Sequence, residues 1–507
     1  MAGPLGHSLM YYMGIDVGSS GCKAVVFDTA GRQLVAAYRE YDVRFTPDGG
    51  AELNSDEVMD NCFAVIAEAT SQLQPGSVRA LGICSQGEAF TAIGHNGDAL
   101  CDAMISSDTR SDQFARTWPE EFGEQRLYEL TGHTAHPMFS LFKLLWLKQN
   151  RPDVWLAAKK FLCFEDLLQM RLGVDPAIGW PLAGRTMLFD VRRHTWSDQI
   201  LDRVGLAGQQ LARPLPSGSV AGTVPGEIAR RLGLADAALI VAAGHDQTCA
   251  ALGAAVTEPG LAMYATGTVD CITPAFAAPI FSDELRRANL CTYDHAVPGM
   301  YATVAFSLTG GNILKWFRDQ FGGEEVARAG AQGLDPYELL LRSALPRPTG
   351  LLVLPYFTAS GTPYFDTRTK GAILGLRLTT TRGELLRALL EGVAMEMRLN
   401  LEILKHAGCE VRELRAVGGG AKSQFWTQLK ADVLGKPITR LDVTEAGCLG
   451  AAMLACAADT RVPLADLARQ WVRPVARCDP VPESADWYDR QFAKYRMLYQ
   501  QISSIEV

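Results

Sequence analysis

No apolar stretch of this chain is long enough to cross a bilayer, which takes about 20 successive apolar residues. The nearest candidate, 447–457 (Gly-Cys-Leu-Gly-Ala-Ala-Met-Leu-Ala-Cys-Ala), is too short and too rich in small residues, and reads as a packed helix. The amino end has no basic segment followed by a long apolar core, so a secretory signal is not expected, and residues 1–10 read as an unstructured leader. The twelve cysteines form no Cys-x-x-Cys pair. Most sit singly among apolar neighbours (Cys84, Cys163, Cys249, Cys271, Cys456), which argues against disulfides or zinc and for buried, reduced thiols in a cytoplasmic protein. No Lys/Arg-rich run occurs and the net charge is −8, so neither a nucleic-acid nor a membrane partner is expected. Low-complexity segments are absent as well.

What is there is a folded α/β chain. Its 507 residues, 48% hydrophobic and 21% charged, suggest two or more domains with large cores. A first strand pair turns back at Asp28-Thr29-Ala30-Gly31 and continues over Arg32–Tyr41, an antiparallel meander. Asp56–Leu73 carries Val58, Cys62, Val65 and Ile66 at helical spacing. Val78–Cys84 is a short strand, and Phe90–Ile105 a hairpin around Asn96-Gly97. Gln125–Asn150 and Cys163–Arg171 read as helices, and Leu239–Ala243 as a strand that delivers Gly244-His245-Asp246-Gln247. A second unit starts near Thr257-Glu258-Pro259-Gly260: strand Gly260–Thr266, turn Gly267-Thr268, helices near Gly311–Phe321 and at Arg382–His406, strand Leu414–Val417, then Gly418-Gly419-Gly420 and helix Gln424–Leu434. The strand–turn–strand unit near residue 16 thus recurs near residue 267, as a weak internal duplication.

The first of these units, Met13–Asp28, carries the most chemistry. Gly18 and Gly21 let backbone N–H groups approach a phosphate, and Ser19 and Ser20 add donors. Lys23 can set a positive charge beside the same phosphates, and Asp16 can hold a hydrated metal ion. An ordinary hairpin with a polar turn fits the same residues. Further along, an isolated Asp246 at a strand end fits a helix N-cap as well as a proton acceptor.

Taken in order, Met13–Asp28, Ser107-Asp108-Thr109-Arg110, Met138–Asn150 with its Lys-x-x-Trp run, Gly244-His245-Asp246-Gln247, Ala265-Thr266-Gly267-Thr268, Gly371–Glu391 and Val417–Gln428 resemble the motifs of the FGGY family of carbohydrate kinases. The resemblance covers about Met13 to Tyr499. It implies an α/β fold of two actin-like (ribonuclease H-like) domains around a central cleft: residues 11–256 binding the sugar and 257–507 the nucleotide. It also implies ATP and Mg²⁺ as cofactors and a small-molecule sugar as the partner, and leaves a homodimer open.

Carried over residue by residue, the resemblance makes Asp246 the catalytic base and Asp16 the metal-linked aspartate. Gly18, Ser19, Ser20 and Lys23 match the first phosphate loop, and Gly267 and Thr268 the second. Gly311, Lys315, Gly419 and Ser423 fall at the nucleotide's adenosine end; a solvated Lys315 and a plain strand-to-helix turn at Gly418–Gly420 fit too. Gln86, Glu88, Asp108, Asp246 and Gln247 fall toward the sugar, with Arg110 orienting Asp108, while Trp146 and Trp316 read as core residues.

Departures leave the sugar open. Gln86-Gly87-Glu88 and Ser106-Ser107-Asp108 differ from the runs found in many ketose kinases, and Ser106 and Met138 stand where aromatics line a glycerol pocket. The implied substrate is a ketose, xylulose first, with L-fuculose, L-ribulose, gluconate or a polyol as alternatives. Like charge on Glu88 and Asp108 is expected to disfavour aldonates. A different class, an actin-like ATPase that phosphorylates no sugar, would share the phosphate loops.

Overall fold

A computed structural model of the chain describes residues 10–366 and 368–503. The leader expected at 1–10 lies, but for Met10, outside them. Strands β1 (Tyr11–Val17), β2 (Gly21–Asp28), β3 (Gln33–Glu40), β4 (Val78–Ser85), β5 (Ser219–Thr223) and β6 (Leu239–His245) form one six-stranded sheet in the order β5-β6-β4-β1-β2-β3. The meander β1-β2-β3 is antiparallel, β4 and β6 join in parallel, and β5 closes the edge antiparallel.

Period-two alternation splits this sheet between two cores. Met13, Ile15, Leu81 and Ile83 pack with Val58, Val65 and Ile66 of helix α1 (Ser55–Ser71), whose N-cap Asn54 accepts from Glu57 N–H. Tyr12, Val25, Ala80 and Val241 lie in the other core. Asp16 shares the parity of Tyr12, so its side chain belongs to that second face.

The single helix expected at Gln125–Asn150 is two: α2 (Glu124–Thr131) and α3 (Ser140–Asn150). Gly132 ends the first in left-handed backbone at φ 71°, where a Cβ would lie 1.8 Å from the Thr292 carbonyl oxygen. Gly132 and Pro137 stop the helix locally, and the chain's second half docks closely against the break. Helices α4 (Phe164–Arg171) and α5 (Trp180–Arg185) follow, and α6 (Asp246–Gly253) starts directly from β6. The hairpin expected at Phe90–Ile105 does not form a ladder of its own: Thr91–Ile93 pairs with Lys160–Leu162 and Ala103–Met104 with Ala51–Leu53, while isolated bridges Phe90–Met104 and Ile93–Ala99 join the two segments.

The second half repeats the plan. Strands β7 (Leu261–Thr266), β8 (Asp270–Phe276), β9 (Tyr293–Asp294), β10 (Tyr301–Ala302), β11 (Ala305–Ser307), β12 (Glu413–Val417), β13 (Ile438–Leu441) and β14 (Pro474–Cys478) make an eight-stranded sheet. Its order is β9-β10-β8-β7-β12-β13-β14, with β11 also on β8. Hairpin β7-β8, parallel β12 and β13, and antiparallel edge β14 answer β1-β2, β4, β6 and β5. The duplication expected from two short turns therefore extends across both sheets. Helices α7 (Gly311–Phe321), α8 (Arg382–His406), α9 (Gln424–Leu434) and α10 (Ala446–Thr460) belong to this half. The packed helix expected around 447–457 is α10. No helix among the described residues is long and apolar enough to cross a membrane, and all twelve cysteines are free.

Helix α10 leaves its own sheet and packs on the first one. Ala451, Met453 and Leu454 share the core of Tyr12, Ala80 and Val241. Backbone touches backbone along the way. A Cβ at Gly14 would lie 1.8 Å from the Cys448 carbonyl oxygen, at Gly82 2.0 Å from that of Ala451, and at Gly253 2.0 Å from that of Ala446. A Cβ at Gly450 would lie 1.9 Å from the Cys249 oxygen. Gly450→Ala should therefore destabilise by about 1–3 kcal/mol or more, since overpacking forces backbone apart. Gly330, inside the helix Gly323–Gln332, has nothing within 4 Å of its Cβ direction. Gly330→Ala should be neutral or stabilise by about 0.5–1 kcal/mol. Thermal midpoints of the two variants check the contrast.

Candidate active site

The turn of the β1-β2 hairpin carries the first set of expected residues. Asp16 and Lys23 stand opposite each other in register, and Ser19 and Ser20 are exposed. Gly18 N–H donates to the Gly21 carbonyl at 3.0 Å, and Tyr41 Oη donates to the Gly18 carbonyl at 2.6 Å, which fixes the turn. The Asp16 carboxylate faces α10, where a Cβ at Gly447 would come within 2.8 Å of it. Its Oδ1 is buried without a hydrogen-bond partner. Burial raises its pKa to about 6, against the pull of Lys23 and with the push of Glu445. Lys23 Nζ donates to Glu445 Oε2 at 2.7 Å, so the cation of the first loop is held by the residue just before α10.

Asp246 is the first residue of α6; His245 holds the N-cap position, so capping is not the role of Asp246. Burial raises the Asp246 pKa to about 8, and the charges of Asp16 and Glu88 add to this. Its Oδ1 has no hydrogen-bond partner, although His245 Nε2 approaches to 3.1 Å outside hydrogen-bonding alignment. Burial, reinforced by Arg185, keeps the His245 imidazole neutral, and Tyr293 Oη lies 3.0 Å from its Nδ1. Gln247 follows Asp246 on α6 and is half-buried.

The other sugar-side residues are spread differently from expectation. Gln86 donates its side-chain N–H to the Gly18 carbonyl at 3.1 Å, which leaves Oε1 buried and unpartnered. Glu88 adopts φ 66° and pairs with Arg185 of α5. Arg185 also meets His133 Nε2 at 3.2 Å and lies over the rings of Phe139 and Tyr293. Asp108, expected toward the sugar, has a fully covered side chain whose oxygens accept from Ala51 N–H and from Arg110. It presents no free oxygen to a ligand. Arg110 orients Asp108 as expected, and also pairs with Glu52. Neither Glu88 nor Asp108 is thus an uncompensated charge, so the expected repulsion of aldonates loses its basis.

The second loop opens on a cleft of about 1150 Å³. Gly267, Thr268, Gly311, Lys315, Gly419 and Ser423, all expected at the nucleotide end, line it together with Tyr337, Leu341 and Arg440. Lys315 is exposed at its edge. Ser423 caps α9, its hydroxyl oxygen accepting from Trp426 N–H. Gly311 N–H donates to the Gly267 carbonyl at 2.8 Å, which ties α7 to the loop. A Cβ at Gly419 would meet nothing within 4 Å, so open space rather than packing adjoins this glycine. Beneath the loop, buried Lys430 of α9 bonds Thr266 Oγ1 and pairs with Asp270 at 2.7 Å, while Tyr264 Oη donates to the same carboxylate at 2.8 Å.

Comparison with known proteins decides what family this geometry serves. The model of the FGGY family of carbohydrate kinases, N-terminal domain, matches residues 11–253, and that of the C-terminal domain matches 262–458. The chain belongs to the FGGY family of carbohydrate kinases. It is 25% identical over 498 residues to the xylulose kinase of Bacillus subtilis (strain 168), covering 97% of each chain. It is 26% identical over 484 residues to the gluconokinase of the same strain, covering 94% of this chain and 93% of that one. The crystal structure of gluconate kinase from Lactobacillus acidophilus superposes with a TM-score of 0.89 at 23% identity, over 98% and 99% of the two chains. The fold is therefore the two-domain actin-like one, and the chain is a carbohydrate kinase, with ATP as the family's phosphate donor. Family membership sets aside the sugar-independent ATPase.

Sequence reasoning missed Arg185, Glu445, Lys430, Tyr293 and Glu165. None lies in a motif, and each acts on a partner far along the chain. The nearest signal was charge: a buried carboxylate such as Glu88 requires a cation. Lys430→Met would leave Asp270 buried and unpaired, a loss of about 3–5 kcal/mol. A lowered thermal midpoint together with a raised KM for ATP is the expected outcome; an unchanged midpoint would mean that the pair does not hold the loop.

Proposed function

We propose that this FGGY kinase transfers the γ-phosphoryl group of ATP to a hydroxyl of a ketose, xylulose foremost, with Asp246 as general base. The observation that carries the reading is the half-buried Asp246 carboxylate, with its Oδ1 covered and without a hydrogen-bond partner, at the end of β6 beside Asp16 and Glu88. A base must offer a free oxygen to the attacking hydroxyl, and a raised pKa strengthens proton acceptance near neutral pH. Phosphoryl transfer depends otherwise on positioning and charge. On this reading residues 11–256 present the sugar and 257–507 the nucleotide. Gly18, Ser19, Ser20 and Lys23 would hold the terminal phosphates, Gly267 and Thr268 the phosphates from the other side, and Gly311, Lys315, Gly419 and Ser423 the adenosine end. Gln86 Oε1, Glu88 and Gln247 would meet sugar hydroxyls.

Mg²⁺ fits the same site. This ion keeps most of its waters and takes one or two carboxylates along with phosphate oxygens. The orphaned Asp16 Oδ1 suits that donor set, and no group of three or more His, Cys, Asp or Glu side chains among the described residues forms a closed cage instead. Bound there, Mg²⁺ would screen phosphate charge. Free thiols throughout the described chain support a reducing, cytoplasmic setting. An aldonate such as gluconate is the second reading, favoured by the pairing of Glu88 with Arg185 and Asp108 with Arg110. A coupled ADP-release screen over pentuloses, hexuloses, polyols and aldonates separates the two.

Asp246→Asn should lower kcat by about 10²–10⁴, the contribution of a general base, with ATP affinity retained. Near-normal turnover would remove Asp246 from the mechanism. The pH profile gives a second check. Asp246 works deprotonated, so kcat/KM should rise with pH toward the limb near 8. Glu88→Gln removes a negative neighbour and frees Arg185, both of which lower the Asp246 pKa. The acid limb should then move down by on the order of one pH unit; a limb that stays in place would separate Glu88 from Asp246.

A further inference from the structure

Asp246 can act only if the end of β6 holds it in place, and that segment is irregular. The pairing of β6 with β4 slips between Ala242 and Gly244, and Gly244 takes φ 99°. A bulge of this kind re-aims the next side chains and leaves backbone groups without ladder partners. Glu165, fully buried on α4, supplies those partners. Its Oε1 accepts from Ala243 N–H at 2.8 Å and from Gly244 N–H at 3.0 Å. Its Oε2 accepts from Gly179 N–H at 2.9 Å, just before α5. Gly179 must be glycine for this approach, since a Cβ there would lie 2.7 Å from Gly244 Cα.

We propose that Glu165 is a positioning residue for the phosphoryl transfer: its carboxylate clamps the bulge of β6 and so sets where Asp246 points. The proposal rests on the reading of Asp246 as base. Among the described residues no cation pairs with Glu165, and its oxygens are taken up by the backbone of the bulge and of the segment before α5. Its three bonds all go to backbone within reach of the two elements that carry Asp246 and Arg185. The adjacent Asp166 differs: it accepts from Cys163 N–H at 3.1 Å and caps α4.

Glu165→Gln keeps the volume but turns an N–H₂ toward at least one backbone donor. The expected result is a kcat about 10–10²-fold lower, the scale of a displacement of about 1 Å, with KM for ATP and sugar within about two-fold. Asp166→Asn should instead lower the thermal midpoint and leave kcat within about two-fold. In an Asp246→Asn background Glu165→Gln should cost nothing further, because both changes act through one group. A wild-type kcat, or a full additional loss in that background, would overturn the role of Glu165. Hydrogen exchange on the wild-type enzyme covers the case of a variant that does not fold. The amides of Ala243 and Gly244 should exchange as slowly as the core of β6, and exchange at loop rates would overturn the clamp. A near-normal Asp246→Asn enzyme would overturn the reading of the base instead, whereas a crippled Asp246→Asn beside a normal Glu165→Gln would overturn the clamp alone.

Discussion

The contact of α6 with α10 is the constraint on which the rest depends. Both helices are built from small residues at their crossing, and Gly253 and Gly450 each lie against a carbonyl oxygen of the other helix. Only glycine admits that approach, and it brings two helix N-termini to one place. Asp246 starts the first helix and Glu445 precedes the second. Between them, Gly14 and Gly82 let α10 lie flat on the first sheet, with Asp16 at the open end. A hairpin from one half and helices from both halves thereby share one centre.

That centre is electrostatically unbalanced by construction. Asp16 and Asp246 are half-buried, each has one covered oxygen without a hydrogen-bond partner, and desolvation raises both pKa values. The cations nearby are already engaged: Lys23 with Glu445, and Arg185 with Glu88. Buried carboxylates without partners are costly in a resting protein. On the proposed reading, a divalent cation arriving with the phosphates would complete the charge balance. Structural pairs of the same fold look different, since Asp270 and Asp108 each bond a cation directly, Lys430 and Arg110 respectively.

Legibility followed range. Helices α7, α8 and α9 lie where the pattern set them, because their ends are signalled locally. Thr381 and Glu384 form a capping box, Ser423 caps α9, and Gly435 closes it in left-handed backbone. The break between α2 and α3 is marked locally by Gly132 and Pro137, and the Thr292 carbonyl 160 positions later (292 − 132) packs against the first of them. The nucleotide-end residues came together because a glycine turn and the helix after it are local units. Glu165, Arg185 and Lys430 were invisible for the opposite reason: their partners lie 79, 97 and 160 positions away.

The sequence alone determined the first meander, helices α7, α8 and α9, the two glycine-rich turns, the singly placed cysteines and the family resemblance, since each rests on residues adjacent in the chain or repeated at a fixed period. Which carboxylates remain free was decided only by tertiary structure. Glu88, Asp108 and Asp246 look alike as acidic residues at strand or loop ends. Folding places Arg185 on the first and Arg110 with Ala51 on the second, and leaves an oxygen of the third unpartnered. Charge compensation is a property of distance through space, and for these groups that distance is set by how segments far apart within the first half fold together.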